Sequence, residues 1–464
     1  MRKLILIHGY SDQGASFGAW ADQLRQRGVD ADAINICNYI SLNNEITISD
    51  IGEGLARAAD DLGWAADQEF DAVVHSTGML VIRAWLCNNV NRRGYLKHLI
   101  GLAPATWGSP LAHMGRSWLG SIVRGNRQFG PDFLNAGDQV LDALELGSKF
   151  TWDLSHRDLL NTAPLFTTGP DSPYVAVFIG NQSYPGIREL IDKPGTDGTV
   201  RWSGCGLNTR KISVDLRKAA APDGRVQMIP WVEGRLSIPM FAVEGKNHTS
   251  LLLEPDSGLA DLIYEFLSVS SDDQYNAWVD KTNEWSAPAL QKMKQDKNGA
   301  FDGWQQFVIH VTDEYGNPVP DYVVDLYRQD PTNLEGDALT SANVQEFDLD
   351  VHPYATDQSY RCFHVRIPQN TAANGPGALW MTLNSSSGTD LIAYQGYSET
   401  ATTITEQSPV VLRLSGMTSP GNELFCPFTT TLVEIQLTRE PLPFTGQTQL
   451  MKVTVFQEQT SPAV

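Results

Sequence analysis

A serine-centred turn between an apolar run and a helical pattern constrains the fold of this chain most. Phe70–Val74 is a short apolar run typical of a buried strand, and Met79–Cys87 has the apolar spacing of a helix. Residues 74–78, with the sequence VHSTG, join the two and place Ser76 at the turn. A serine at a sharp strand-to-helix turn projects its hydroxyl above the edge of a sheet, the geometry called a nucleophile elbow. The segment therefore predicts an α/β sheet that presents Ser76 at its edge.

Short apolar runs alternate with helical patterns from residue 1 to about 270, which predicts an α/β domain on a mostly parallel sheet. Between about 105 and 165 the alternation stops, and this insert has the position of a lid over a site. The predicted strands are six apolar runs: Leu4–Ile7, Ala31–Ile36, Phe70–Val74, His98–Leu102, Tyr174–Ile179 and Pro239–Val243.

Beyond residue 270 the pattern changes. Residues 271–303 are polar and charged, with Trp278 and Trp285 as isolated apolar anchors, and they predict a helical connector. Residues 304–464 contain short apolar runs separated by turn clusters, several with period-two alternation, which predicts an all-β sandwich domain. Its predicted strands are seven runs: Phe307–Thr312, Tyr322–Tyr327, Tyr360–Ile367, Leu379–Leu383, Val410–Leu414, Thr431–Leu437 and Met451–Phe456.

The composition limits the partners and the location of the chain. Its formal net charge is −20, spread along the sequence, which argues against electrostatic binding of nucleic acid or anionic membrane surfaces. No apolar run approaches the length of a membrane span. Only four apolar residues follow Arg2 and Lys3, too few for a signal peptide, and the five cysteines lack metal-ligand spacing. These features predict a cytoplasmic protein without a metal, and export by a signal-independent route is also compatible with them.

Residues further along the chain supply candidate partners for Ser76. Acyl transfer by serine requires a base and an acid that orients the base, and on a sheet of this kind each follows a later strand, the acid first. His248 follows the last predicted strand of the parallel sheet after a short turn, and Asp197 lies in a Gly-Thr-Asp-Gly turn after the fifth. We predict that His248 is the base and that Asp197 orients it. Two other carboxylates compete for the role of the acid: Asp171 and Asp192.

The oxyanion of acyl transfer needs two hydrogen-bond donors. One predicted donor is the backbone N–H of Thr77, directly after the serine. The other is the N–H of Tyr10, because the first predicted strand ends in a His8-Gly9 turn. We expect His8 to shape this loop, and we exclude His75 as the base because adjacent side chains diverge at such a turn.

Four motifs in this order resemble the serine esterase and lipase branch of the α/β-hydrolase superfamily: His8-Gly9-Tyr10, His75-Ser76-Thr77-Gly78, Asp197-Gly198-Thr199-Val200 and Asn247-His248. A Pro…Gly-Ser-Pro stretch at residues 104–110 strengthens the resemblance, since lipase-like members often carry one before the lid. The resemblance covers about residues 1–270 and leaves the C-terminal part unassigned. One departure is Val74, because the usual elbow has glycine at that position.

The resemblance implies an α/β-hydrolase fold and hydrolysis of carboxylic esters through an acyl-enzyme, with Ser76, Asp197 and His248 as the catalytic triad. It implies no cofactor and no metal, and a small acyl ester or lipid as the substrate. Four apolar residues of the insert are the candidate contacts of an acyl chain: Trp107, Leu111, Met114 and Trp118.

Three other functions stay open at the level of the sequence. The same triad serves thioesterases, amidases and acyltransferases. The β domain would suit a lipid-degrading effector that docks on a protein or a surface. The chain would also be compatible with a catalytically inactive binding protein, since a fold alone does not determine function.

Overall fold

A computed structural model provides the structure of the chain. The structure describes residues 2–112, 137–162, 165–166, 172–184, 195–217, 225–229, 238–295, 303–327, 329–343, 349–366, 379–396, 402–406, 408–414, 424–441, 451 and 453–456. Two of the candidate lid residues, Met114 and Trp118, lie outside these ranges.

The first part of the chain forms a parallel sheet with helices packed on it. The described strands before residue 270 are β1 (Lys3–Ile7), β2 (Ile34–Cys37), β3 (Phe70–His75), β4 (Leu96–Leu102), β5 (Tyr174–Gly180), β6 (Thr209–Asp215), β7 (Val226–Ile229) and β8 (Met240–Val243). Six of them pair in parallel in the order β2-β1-β3-β4-β5-β8. The six strands predicted from apolar runs are confirmed, and the predicted β2 begins with a short 3-10 turn at Ala31–Ala33.

The helices within the described ranges are α1 (Gly18–Gln26), α2 (Ile48–Asp61), α3 (Gly78–Asn88), α4 (Asp138–Leu144), α5 (Lys149–Asp158), α6 (Trp202–Cys205), α7 (His248–Leu253), α8 (Ser257–Phe266), α9 (Asp272–Gln295) and α10 (Gly336–Ala342). Helix α3 follows β3, a strand in the interior of the sheet, and it is buried from Gly78 to Cys87. None of the described helices has the combination of length and apolar character that crossing a membrane requires.

The predicted connector is helix α9, and it covers one edge of the parallel sheet. Strand β8 lies at that edge. The Ser286 hydroxyl accepts a hydrogen bond from the Ala242 N–H at 2.8 Å and donates one to the Ala242 carbonyl at 3.0 Å. Trp278 is buried, and its indole N–H donates to the Leu262 carbonyl at 2.9 Å. Helix α9 thereby satisfies backbone groups that an uncovered edge strand would offer to another chain.

The described strands beyond residue 300 are β9 (Trp304–Asp313), β10 (Asp321–Tyr327), β11 (Leu349–Pro353), β12 (Tyr360–Arg366), β13 (Leu379–Ser386), β14 (Ile392–Gly396), β15 (Thr402–Thr403), β16 (Val410–Leu414) and β17 (Thr430–Pro441). Strands β10, β13 and β16 form an antiparallel sheet. The others form a mixed sheet in the order β11-β12-β9-β17-β14-β15. Apolar side chains of both sheets, among them Ile309, Leu383 and Ile435, share one core, which confirms the predicted β-sandwich.

The mixed sheet also packs against the α/β unit. Val308, Cys362 and Leu432 belong to the core of that unit, whereas their neighbours along the strands face the core of the sandwich. The insert adds polar contacts, because Glu145 accepts hydrogen bonds from His352 and from the Ala355 N–H, at 2.9 and 2.8 Å. The sandwich is therefore joined to the hydrolase-like part over a sheet face and is not a loosely tethered module.

Two features of the C-terminal region differ from the sequence prediction. Strand β6 precedes residue 270, yet it pairs in parallel with β17, and β7 pairs with β6. The predicted boundary at 270 therefore does not separate the parallel sheet from the mixed sheet. A change in the hydrophobic pattern cannot reveal a hairpin that pairs with strands formed later in the chain.

The sequence predicts a strand at Met451–Phe456, but the described residues of this segment form none and are exposed, Phe456 by 87%. Apolar alternation indicates a strand only where a partner strand is in reach.

His310 lies between the sandwich and the insert, and it supports a prediction about pH. Its ring stacks on Tyr360, with centroids 3.8 Å apart, and meets the edge of Trp152. Burial lowers the pKa of His310 to about 4, and it also lowers the pKa values of His8 and His75. Below about pH 6.5 the unfolded chain binds protons that the folded chain excludes, so stability falls as the pH drops toward 4.

We expect urea unfolding at pH 5 to give a lower free energy of unfolding than at pH 7.5. One such histidine contributes up to roughly 2 kcal/mol of this loss at pH 5. His310→Phe keeps the aromatic contacts and removes the titrating group, so it should shrink the difference between the two pH values. Equal stability of the wild type at both pH values would contradict the prediction.

Candidate active site

Ser76 occupies a tight turn between β3 and α3. It has a φ of 52°, a left-handed backbone conformation that is uncommon for a residue with a side chain. Gly78 makes this turn possible, since a Cβ at that position would lie 2.6 Å from the Ile7 carbonyl oxygen. Val74, the departure from the usual elbow, stands in register with Gly101 of β4, so the residue beside it on that strand has no side chain. The chain therefore forms the predicted elbow.

The loop after β1 lies directly against the elbow. A Cβ on Gly9 would be 2.9 Å from the Ser76 Cβ and 3.4 Å from its Oγ, so the backbone of this loop touches the serine. The Thr77 N–H makes no hydrogen bond to the described residues. The structure thus brings residues 8–10 and 76–77 together, as predicted for an oxyanion site with Tyr10 and Thr77 as donors.

The position of these two loops follows from the strand order. From β1 the chain crosses to β2 on one side, whereas β3 lies on the other side of β1. In open α/β sheets, ligands bind in the crevice outside the carboxyl ends of the strands, at the point where the order reverses. Residues 8–10 and Ser76 follow the two strands that flank this point.

His8 fixes the oxyanion loop. Its Nε2 accepts a hydrogen bond from the Tyr39 N–H at 3.3 Å, which leaves Nδ1 to donate to the Gly9 carbonyl at 2.8 Å. Tyr39 also donates its hydroxyl to the His8 carbonyl at 2.7 Å and stacks on the ring, with centroids 4.1 Å apart. Burial lowers the pKa of His8, so the neutral ring that these bonds require is favoured. These contacts are those of a loop-shaping residue, as the sequence suggested.

Asp197 and His248 form a buried hydrogen-bonded pair. The Asp197 Oδ2 is 2.9 Å from the His248 Nδ1, and the His248 N–H donates to the Asp197 carbonyl at 3.2 Å. The other carboxylate oxygen, Oδ1, accepts the N–H groups of Thr199 and Val200 at 3.0 and 2.8 Å. Gly198, with a φ of 92°, closes this turn against the ring of Tyr184. The carboxylate and the backbone carbonyl of Asp197 thus make four hydrogen bonds, and these hold the carboxylate against the His248 ring.

Ser76 and His248 do not hydrogen-bond each other in the described part of the chain. Their neighbour His75 links the two loops. Its Nε2 donates to the His248 carbonyl at 3.0 Å, and the two rings lie 4.7 Å apart. Burial holds the pKa of His75 well below its usual range, so this ring stays neutral. Catalytic hydrogen bonds are often long before substrate binds, so this geometry is compatible with a triad.

The sandwich supports the loop that carries Asp197, a contact that sequence reasoning missed. Arg201 is buried, and its guanidinium donates to the Asp350 carboxylate on β11 at 2.5 Å. At the other end of the loop, Gly195 has a φ of 75°, and a Cβ there would lie 2.8 Å from the Trp304 ring of β9. No local pattern signals these contacts, because the partners are more than 100 residues apart.

We expect Asp350→Ala to lower both the stability of the protein and its catalytic rate. The substitution leaves the Arg201 guanidinium buried without its carboxylate, which costs roughly 3–5 kcal/mol in fully buried pairs. Because the Asp350 side chain is 33% exposed, we expect about 2–3 kcal/mol. Asp153→Ala is the control: it removes an ion pair with Lys149 whose side chains are 52% and 60% exposed, and it should cost less than about 1 kcal/mol. Equal losses in the two variants, measured by urea unfolding and kcat, would contradict a supporting role.

The candidate lid residues within the described ranges are core residues. Trp107 and Leu111 are buried, and the Trp107 indole N–H donates to the Gly206 carbonyl at 3.0 Å. Beneath them, Arg83 is bidentate to Asp158 at 2.7 and 3.0 Å, an ion pair with no exposed surface. The contact of Trp107 and Leu111 with an acyl chain stays a prediction. Among the described residues, no group of three or more His, Cys, Asp or Glu side chains is arranged to hold a metal ion.

No protein-family model and no curated protein sequence matches this chain. Phospholipase PlaB from Legionella pneumophila has a similar solved structure, with a TM-score of 0.74 and 20% sequence identity, covering 100% of this chain and 98% of that chain. A PlaB structure in complex with thio-NAD gives a TM-score of 0.73 at the same identity and coverage. At this identity the comparison establishes the fold alone. The shared fold includes the C-terminal sheets, because the match covers the whole chain. The chain has an α/β-hydrolase fold that continues into a C-terminal β-sandwich, and this fold is similar to that of PlaB over the whole chain.

Proposed function

We propose that this protein is a serine hydrolase of carboxylic esters and that its substrates are acyl lipids. The observation that carries the proposal is the Asp197–His248 hydrogen bond of 2.9 Å, joined through His75 to the elbow that holds Ser76. A buried carboxylate that orients a histidine, with a serine on a neighbouring loop, is the arrangement that activates serine for attack.

The proposed reaction assigns one role to each residue. With Nδ1–H donated to Asp197, the Nε2 of His248 is free to take the proton from the Ser76 hydroxyl, whose oxygen attacks the ester carbonyl carbon. The N–H groups of Tyr10 and Thr77 hold the resulting oxyanion. His248 then gives its proton to the leaving alcohol, and a water molecule releases the acid from the acyl-enzyme by the same sequence.

The choice of a lipid substrate rests on the likeness to PlaB. That protein is a phospholipase, and the shared fold extends over the whole chain, including the sandwich. Phospholipid esters are therefore the substrate class that we propose first. Thioesters and amides use the same triad and are the alternatives that the test must separate.

An acyl-length series on purified protein tests the proposal. Short and long p-nitrophenyl esters, phosphatidylcholine and lysophosphatidylcholine are compared with an acyl thioester and an anilide of matched chain length. We expect the lipid esters to give the highest kcat/KM and Ser76→Ala to abolish hydrolysis of all of them. A clear preference for the thioester or the anilide would overturn the ester assignment, and equal rates in wild type and Ser76→Ala would overturn the mechanism.

A further inference from the structure

A cavity of about 360 Å³ lies between the two sheets of the sandwich, away from Ser76. Its volume falls within the range of pockets that bind small ligands, about 300–1,000 Å³. Protein interiors hold few voids larger than a water molecule, so this space exceeds a packing defect. Strands of both sheets supply its apolar lining, which includes Ile212, Phe307, Ile309, Phe363, Met381 and Val433.

The cavity opens beside β10, an edge strand of the three-stranded sheet. Val324, Asp325 and Leu326 are consecutive in this strand, line the cavity and are each partly exposed. The deeper lining, such as Ile309 and Val433, is buried. A ligand would therefore enter beside β10 and place an apolar portion between the sheets.

The polar part of the lining consists of Asp325 and Asn343. Burial raises the pKa of Asp325, and a hydrogen bond from the Asn343 side chain opposes that shift. Within the described ranges, no lysine or arginine forms an ion pair with Asp325. A carboxylate in a partly apolar setting is stabilised by a nearby cation, so the mouth of the cavity favours a ligand with a positive charge at its polar end.

We propose that this cavity binds one alkyl chain of a zwitterionic amphiphile, with the chain between the sheets and the quaternary ammonium group at Asp325. The shape and charge of the site carry this proposal, and the choice of a lipid as the occupant rests on the proposed function. A free fatty acid fits poorly, because its one charged group is a carboxylate that would face Asp325 in a protein with a net charge of −20, whereas the ammonium of a zwitterion offsets the charge of its own phosphate.

The test is binding of n-dodecylphosphocholine, which has no carboxylic ester bond, below its critical micelle concentration. Isothermal titration calorimetry compares the full-length wild type with Val433→Phe, which fills the cavity, and with Asp325→Asn, which removes its charge. Val323→Phe is the matched control, because Val323 lies on β10, is 51% exposed and does not line the cavity. We expect Val433→Phe to weaken binding at least tenfold, Asp325→Asn to weaken it about threefold, and Val323→Phe to leave it unchanged.

Hydrolysis of p-nitrophenyl butyrate by each variant shows whether the hydrolase part remains folded. Undiminished binding by an active Val433→Phe protein would overturn the cavity proposal, as would absence of binding by the wild type. Decanoate is titrated in parallel, and binding as tight as that of dodecylphosphocholine would overturn the assignment of the ammonium to Asp325. A wild type that hydrolyses no ester but loses binding in Val433→Phe would refute the proposed function and leave the cavity site standing.

Discussion

Asp197→Asn should lower kcat for ester hydrolysis by about 10⁴-fold while the protein keeps its fold. The Asp197 Oδ1 accepts the N–H groups of Thr199 and Val200, and an asparagine must place its carbonyl oxygen there. Its NH₂ group then faces the Nδ1 of His248, 2.9 Å away, and can only donate to it. The imidazole is forced into the Nε2–H tautomer, which cannot accept the proton of Ser76.

A second buried Asp–His pair provides a control for this substitution. The Asp71 Oδ1 lies 2.7 Å from the Nδ1 of His98, near the start of β3 and thus at the opposite edge of the sheet from Ser76. Asp71→Asn should lower stability but leave kcat within about twofold of the wild type, because no reacting group is near. Initial rates at saturating ester, with circular dichroism as the check on folding, separate the two outcomes. Unchanged kcat in Asp197→Asn, or an equal loss in Asp71→Asn, would refute the assignment of the acid.

Gly9→Ala should lower kcat by about 10²–10³-fold, the effect of losing one oxyanion donor. The added Cβ would lie 2.9 Å from the Ser76 Cβ and 3.2 Å from the Nδ1 of His75. Neither neighbour has room to move, since His75 ends β3, Ser76 follows it directly, and both are buried. The loop must therefore shift, and it carries the Tyr10 N–H away from the carbonyl that develops negative charge.

Gly54→Ala is the matched control for Gly9→Ala. Gly54 lies in α2 with open space around its Cβ position, so alanine there should stabilise the helix by up to about 1 kcal/mol without changing kcat. The comparison is made on kcat and KM for one short ester, because displacement of the oxyanion donor lowers kcat more than it raises KM. Retention of wild-type kcat in Gly9→Ala would contradict the predicted position of the oxyanion site.

The part of the fold that the sequence predicts well is the part with a simple periodicity. Strands β5 and β8 of the parallel sheet, for example, are continuous apolar runs, because strands covered on both faces need few polar residues. The carboxyl ends of parallel strands lie at one edge, so the order Ser76, Asp197, His248 along the chain is enough to expect a site there. The structure places the acid against the base as that order suggests.

Contacts between distant segments could not be predicted in this way. Strand β6 belongs to a sheet whose other members come later in the chain, and its pairing with β17 depends on register, which a local pattern does not encode. The same is true of Arg201 and Asp350, which look like ordinary surface charges in the sequence but meet between the acid loop and β11. For Trp107 the contact with an acyl chain stays a prediction, because an apolar residue in an insert has the same sequence signature whether it faces a substrate or the core.

The most direct measurement of the central claim is the site of covalent labelling by a fluorophosphonate, located by mass spectrometry of proteolytic peptides. The protein must be labelled at neutral pH in its folded state, since an activated serine reacts and an ordinary helix-capping serine does not. We predict a single adduct on the peptide that contains Ser76, absent from Ser76→Ala and strongly slowed in Asp197→Asn. An adduct on another residue, or no adduct on folded wild-type protein, would contradict the proposed serine hydrolase.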